Sequence, residues 1–367
     1  MNRRPAALVP VIAILSGFAL GALVVIVTGR STGDMFRAML QGATGVNLGA
    51  GTFNPRYLGE FLVQTMPIVL TGLAVGFAFR TGLFNIGAEG QLIAGSMAAI
   101  AVGLGVRAPA GVHVALVLLA AMAAGGLWGA IPGVLKARFN VHEVVVSIML
   151  NYVALHLNNW AIVEIFHSVD RIKTPVIPAS ALLRSDLLGG LTNGSRLGWG
   201  LLPVALSLAA YWFLIERTTF GFRLRAVGFN KESARYAGMK VERSIVAAMA
   251  ISGAFAGLAG AVITVGTFSF GRALPAHEGY GFDGIAVALV GGNGALGIGL
   301  SGLLFGLLKA AQPLMQSQGI PKEIASIIQA AIVLFIAMKL GIEHLLARGR
   351  AGAAPSPRPA PGGEADG

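Results

Sequence analysis

The sequence predicts an all-α protein, a polytopic membrane helix bundle of about nine to ten spans with broken or re-entrant segments. Three observations carry that expectation. Of 367 residues, 55% are hydrophobic and only 12% charged, at a mean hydropathy of +0.75, which leaves too little polar surface for a soluble globular domain. The net charge of +11 is gathered in short segments between apolar runs, the positive-inside pattern and not the footprint of a nucleic-acid binder. Glycine reaches 52 residues, as expected where helices pack through small residues in lipid. Cysteine is absent, which excludes disulfides, thiol catalysis and cysteine-ligated metals.

Arg3 and Arg4 precede an apolar run from Ala6 to Val27. It is longer than a signal-peptide core and reads as an uncleaved first span with a cytoplasmic N-terminus. Residues 29–57 are mixed and glycine-rich and are expected outside. A second span, from Leu58 to Phe79, stops at Arg80 on the inner side. Residues 82–105 then mix polar and small residues into a spanning segment, with Glu89 placed two or three turns into a membrane helix. A carboxylate there costs about 3 kcal/mol unless it faces protein or water. Gly82, Gly87 and Gly90 weaken the helix, so a broken or re-entrant entry is expected. Either Phe84, Asn85, Glu89 and Gln91 line or hinge a pathway, or Glu89 sits at the interface while Asn85 and Gln91 bond a neighbouring helix.

The span from Val112 to Leu135 ends at Lys136 and Arg138, and its Gly125, Gly129 and Gly133 form a small-residue packing face. In the next span, residues 142–166, Glu143 and Glu164 are expected near the headgroups. Asn151 lies near the middle, where it bonds a partner helix or faces a water-filled path; the helix bond is the favoured reading. His156 has no acidic partner at four-residue spacing. Residues 167–197 form a long polar loop expected outside. Another span, residues 198–215, returns the chain inside at Arg217.

Residues 217–243 carry seven basic and two acidic side chains between spans. Asn230 is placed to cap a helix, Glu232 sits in its first turn, and Gly238 stops it. Ala234, Ala237 and Gly238 would form one close-packing side for another protein while Lys231 and Arg235 stay in water. The following span, residues 245–268, holds Gly253 and Gly257. Residues 269–281 are expected outside. Gly291, Gly292, Asn293 and Gly294 break the apolar run of residues 282–308, which is read as re-entering and returning. The final span, residues 324–340, then ends inside beside Arg348, Arg350 and Arg358, leaving both termini cytoplasmic. Residues 1–345 form one transmembrane domain and 346–367 a proline-rich disordered tail. The two glycine-broken segments occupy corresponding places in the two halves, which suggests an internal repeat around a midplane pathway.

No GxxxxGK[ST] phosphate loop occurs, nor an HExxH zinc pair, a GxSxG elbow or a His/carboxylate cluster with metal spacing. An intramembrane enzyme is poorly supported and no cofactor is implied. An ion-coupled secondary carrier could use Glu89, Glu143 and His156, but it has no need of a basic helix presented in one inner loop.

Three stretches, GLFNIGAEGQLIAGS (82–96), HEVVVSIMLNY (142–152) and LRAVGFNKESARYAGMKVER (224–243), carry a resemblance. They are similar to the permeases of ATP-binding cassette importers, the ribose and branched-chain amino acid superfamily, and within it to the larger permease of nucleoside importers. The chain departs at His142, where Asn is expected before the Glu. The resemblance implies a bacterial inner-membrane complex. Its parts would be this permease, a second paralogous permease, two ATPase subunits below and an external solute-binding protein above. Gly228, Asn230, Ala234, Arg235, Ala237 and Gly238 would then couple to the ATPase. Phe84, Asn85, Glu89, Gln91, Asn151 and Asp283 would belong to the translocation path. The solute would be a nucleoside, or a sugar in the alternative reading.

Overall fold

The computed structural model describes residues 4–166 and 170–338. The arginines of the C-terminal segment, the expected tail at 346–367 and the last residues of the final span lie outside the described residues. The expected all-α architecture is found. The described chain forms fourteen α-helices, with one short antiparallel hairpin, β1 (Val46–Asn47) and β2 (Thr52–Phe53). Seven helices are long and apolar enough to cross a membrane: α1 (Arg4–Val27, through its Pro10–Val27 part), α3 (Pro55–Phe79), α4 (Ala88–Gly105), α5 (Val112–Phe139), α6 (Glu143–Glu164), α11 (Val241–Ala261, continued as a π-helix to Phe268) and α13 (Ala295–Ser317). An eighth span is reached if α8 (Leu201–Arg217) is counted with α9 (Thr219–Phe229), which leaves it at a bend of 71°. The shorter apolar helices α12 (Tyr280–Val290) and α14 (Glu323–Ala337) complete the bundle.

The core is a glycine seam. A Cβ at Gly125 of α5 would strike the Gly253 carbonyl and Gly257 Cα of α11, and a Cβ at Gly253 would strike the Gly125 carbonyl in return. With no side chain on either face the two backbones come into direct contact, the close approach that small residues permit in lipid. Gly95 of α4 meets Gly257 in the same way, so α4, α5 and α11 form one block. Antiparallel pairs flank it: Gly302 and Gly306 of α13 seat Val69 and Thr65 of α3, and Gly17 and Gly21 of α1 seat Ile332 and Ile328 of α14.

One end of the bundle carries Arg80, Lys136, Arg138 and the residue 217–243 segment. We call it the basic end. There the expected short helix is present as α10 (Lys231–Tyr236), capped by the Asn230 side chain accepting from Ser233 N, with Gly238 at φ +76° closing it. The segment also holds α9, which the sequence reading did not resolve.

Other expectations are corrected. Residues 29–57, expected as a mixed, glycine-rich outer segment, hold a helix the sequence reading did not resolve. Ser31 caps α2 (Thr32–Thr44), whose Met35, Ala38 and Met39 are buried at helical spacing. The 167–197 loop, in its described part, holds a 3-10 turn (Ala179–Ala181) and α7 (Asp186–Leu191). Residues 269–281, expected outside, fold back into the bundle until Gly281 is buried against Glu89. The break at Gly291–Gly294 does reverse the chain. α12 runs beside α3 toward the basic end, and α13 runs back along it. At eleven residues α12 is about 16 Å long, roughly half a bilayer core.

Candidate functional site

Two helices begin inside the bundle, and their N-termini meet. α3 ends at Phe79; residues 81–87 then run irregularly back into the protein, and α4 starts at Ala88. α12 starts at Tyr280 after the in-folded loop. The first amide groups of any helix lack internal partners, and neither helix has a side-chain cap of its own: the cap positions are Gly87 and Gly279. Neighbouring elements supply the acceptors. Glu89, in the first turn of α4 and 1% exposed, accepts from Gly279 N at 2.9 Å and Gly281 N at 2.5 Å. Its two oxygens supply the acceptors that the amides at the start of α12 lack. Asn151 of α6 accepts from Gly90 N at 2.8 Å and donates to the Ile86 carbonyl at 3.1 Å. Its own carbonyl contacts His277 Nε2 at 3.2 Å.

The candidate path residues therefore separate. Glu89 is not two or three turns into a helix but in its first turn, which is why it can reach across to α12. Asn85 and Gln91 are paired reciprocally at 2.8 and 3.1 Å. Asn85 also donates to Ser252 Oγ at 2.6 Å and accepts from Gly87 N. Both are buried, so they fasten the α4 entry to α11 and are not open to a solute in this conformation. Phe84 lies apart from them, against Phe79 at 5.1 Å between ring centroids. Asp283, in the first turn of α12, is partly exposed and pairs with Lys309 of α13 at 3.0 Å.

Lys309 opens onto residues that the sequence reading missed. Its Nζ stands 3.6 Å from the Tyr280 ring centroid. The Tyr280 hydroxyl donates to Gln64 at 2.9 Å, and the Tyr280 carbonyl accepts from Thr71 at 2.8 Å. Glu60, Gln64 and Thr71 share one face of α3, and Glu60 pairs with Arg196 at 2.6 Å. Arg272 pairs with Glu278 at 2.9 Å and lies 3.5 Å from the Phe268 centroid. These groups form a polar wall down from the non-basic end. Side-chain exposure falls along it from 43% at Arg196 to 19% at Lys309. Its three cations match its three anions, and Phe268 and Tyr280 add ring faces. Behind it, Ser96, Asn158, Thr264 and Glu278 border a cavity of about 20 Å³, room for one water. The available signals were Glu60 and Gln64 one turn apart in an apolar helix and a solitary lysine in the α13 run. Among the described residues no cluster with metal-binding composition occurs.

At the basic end, Arg235 and Glu232 are exposed and pair at 3.2 Å, and Arg235 also reaches Glu242 at 2.8 Å. The hydrogen bond that Arg235 donates to Glu242, with the charges of both carboxylates, holds the guanidinium above its ordinary pKa. Ala237 and Gly238 are exposed. Ala234 corrects the expectation: it is buried against its own chain, because the cap at Asn230 turns that side of α10 inward. Gly228 is engaged internally too, with no room for a Cβ beside the Arg80 carbonyl. What the segment displays instead are Phe229 at the end of α9 and Tyr236 at the end of α10, each 93% exposed. His156 and Tyr152 are exposed on α6, and Glu143 pairs with Lys136 at 3.2 Å.

A many-span bundle in which two helices begin inside the protein, beside a polar wall, has the architecture of a membrane permease. The comparisons agree. The family profile described as branched-chain amino acid transport system, permease component, matches residues 57–337, and the chain belongs to that family. Among curated relatives it is 48% identical over 342 residues to the guanosine ABC transporter permease protein NupP of Bacillus subtilis, covering 93% of this chain and 96% of the relative. It is 35% identical to the nucleoside ABC transporter permease protein NupB of Lactococcus lactis subsp. cremoris, covering 95% and 96%. It is 32% identical to the glucose ABC transporter permease protein TsgB13 of Haloferax volcanii, covering 89% and 86%. No solved structure matches.

Proposed function

We propose that the chain is the larger permease of an ATP-binding cassette importer for nucleosides in a bacterial inner membrane. It would work with an ATPase subunit, a second paralogous permease and an external solute-binding protein. The basic end and both termini would face the cytoplasm, as the positive-inside rule requires of Arg80, Lys136, Arg138 and the α9–α10 segment. The observation that carries the substrate reading is the polar wall. Its charges cancel, so it has no fixed excess to hold a nucleotide or a cation, and its ring faces and hydrogen-bonding groups suit a neutral, planar, hydroxylated solute. Near full-length identity to a guanosine permease supports the same reading.

In this reading Asp283, Lys309, Tyr280 and Gln64 face the solute. Glu89 and Asn151 hold the half-helices in register, and Asn85 and Gln91 lock the α4 entry. The α9–α10 segment seats in the ATPase through Phe229, Tyr236, Arg235, Ala237 and Gly238, while Ala234 and Gly228 anchor it to its own chain. Uptake of radiolabelled guanosine into proteoliposomes holding the whole complex tests the proposal. The expected result is uptake that needs ATP and the ATPase subunit and survives a proton uncoupler. Uptake that follows the proton gradient at constant ATP would overturn it in favour of an ion-coupled carrier. A glucose permease among the relatives favours a sugar as the second solute class. ATP-dependent uptake of radiolabelled glucose by the same complex, with none of guanosine, would select it.

A further inference from the structure

At the basic end a single side chain joins the segment that carries α10 to the turn that ends the half-helix. Arg80 caps the C-terminus of α3. Its Nε donates to the Asn293 carbonyl at 3.1 Å, and its Nη2 binds Glu216. Glu216, at the end of α8, also takes Arg225 of α9 at 2.8 Å. A second donor reaches the same Asn293 carbonyl, the Tyr211 hydroxyl of α8 at 2.7 Å. Asn293 itself stands at φ +56°, next to Gly292 at +60°. The reversal between α12 and α13 is thus a strained turn held from outside by donors on α3 and α8. α9 bears on the same point: a Cβ at Gly228 would lie 2.7 Å from the Arg80 carbonyl and 2.9 Å from Gly82 N. α9 and α10 share Asn230, which ends one helix and caps the other.

We propose that Arg80, Glu216 and Arg225 are the positioning residues that transmit displacement of the α9–α10 segment to α12. The proposal rests on the ATP-driven reading above. Motion of α9 carries Arg225 and so pulls on Glu216. Glu216 reorients Arg80, and Arg80 loosens or tightens the Asn293 turn. Because α12 is only eleven residues long and its far end is the Gly279–Gly281 capping point, a shift at the turn is delivered to the first turn of α12, where Asp283 and Phe282 lie. Ridge packing between long spans is not required to move. The groups involved are charge-assisted and partly exposed, so they can exchange protein partners for water at modest cost.

The sequence has no cysteine, which allows a clean probe. Phe282, exposed at the first turn of α12, is replaced by Cys in the assembled complex, and its labelling by a maleimide is followed with ATP-bound, vanadate-trapped and nucleotide-free ATPase. In the otherwise unaltered permease the labelling rate is expected to change with nucleotide state. With Arg80→Gln, and separately with Glu216→Gln, ATP hydrolysis is expected to persist while labelling no longer follows nucleotide and uptake falls about tenfold or more, as loss of a charge-assisted bond implies. Nucleotide-dependent labelling that survives both substitutions would overturn the relay. So would uptake and hydrolysis falling in proportion, which places these residues in ATPase docking. Should Arg80→Gln not assemble, Glu216→Gln alone decides, since it leaves the Arg80–Asn293 bond in place. Failure of the ATP-driven reading is seen separately, as uptake by the unaltered complex that continues with a catalytically dead ATPase.

Discussion

The contact of α5 with α11 and the seating of α12 are made of opposite materials. Along the first, Gly125, Gly129, Gly253 and Gly257 put backbone against backbone, with carbonyls where side chains would be. No rotamer can change there and no hydrogen bond can be traded, so the contact has one geometry. α12 also seats glycines, Gly281 on the Glu89 backbone and Gly284 on Thr71, but exchangeable polar groups hold both its ends. Glu89 takes the amides at its start, Lys309 takes Asp283, Thr71 takes the Tyr280 carbonyl, and Arg80 and Tyr211 take the turn at its end. Polar contacts can be remade with water or with another partner, whereas a glycine seam either fits or does not. The difference divides the molecule into a scaffold and an element that can be moved.

The largest expected effect belongs to the scaffold. Gly253→Leu or Gly257→Leu drives a side chain into the α5 backbone, and overpacking of this kind costs about 1–3 kcal/mol or more per site. Folded protein recovered from the membrane should fall steeply, measured by fluorescence-detected size exclusion. Gly190→Leu, with no atom within 4 Å of its Cβ position, should leave recovery unchanged. Equal recovery of all three would dissolve the comparison.

Next comes the cap on the half-helix. Glu89→Ala strands the amides of Gly279 and Gly281 in the interior, about 1–3 kcal/mol for each unsatisfied donor. The scaffold does not pass through Glu89, so the protein should still fold while uptake in the reconstituted complex is lost. Glu89→Gln keeps an acceptor oxygen and should retain part of the uptake. If Glu89→Ala lowers recovery as much as Gly253→Leu, α12 belongs to the scaffold.

The same division explains what could be read in the sequence. The Gly125-Gly129-Gly133 and Gly253-Gly257 spacings announce the seam, because small-residue periodicity needs only one helix to be visible. The cap and stop of α10 are local too, and Asn230 and Gly238 declare them. The polar wall is not local. Glu60, Arg196, Arg272 and Lys309 are scattered over some 250 residues, and each alone resembles an interfacial charge. The inward fold of residues 269–281 was hidden for a related reason: they read as an outside loop until Asn158 and Lys173 pair with Arg272, Asn159 with Leu274 and Asn151 with His277. Ala234 misled because small residues at helical spacing serve a neighbouring helix and a docking partner equally well.

A smaller effect tests the ion pair on α12. Removing one member of a partly buried pair leaves the other charge uncompensated, while removing both does not. Lys309→Met and Asp283→Asn should each reduce thermal stability in detergent more than the double variant does. Uptake should separate from that pattern. If both side chains face the solute, the double variant regains stability without regaining uptake. Recovery of both together would make the pair a strut between α12 and α13 and remove it from the path.

The smallest effect is expected at Asn151, and its size is informative because the residue touches both half-helices. Through its side chain it caps α4 at Gly90, and through its carbonyl it meets His277, two residues before the α12 cap. Interhelical hydrogen bonds in membranes average only about 0.6 kcal/mol, so Asn151→Leu should barely change recovery or melting temperature. The carbonyl contact survives the substitution, which leaves the α12 side intact, while the Gly90 amide loses its acceptor and the Ile86 carbonyl its donor. The first turn of α4 should then fray, carrying Glu89 with it. Hydrogen exchange at Gly90 should rise, and uptake should show a raised half-saturation constant at an almost unchanged maximal rate. A loss of maximal rate as large as that of Glu89→Ala would instead mean that α4 and α12 move as one unit, with Asn151 as their hinge.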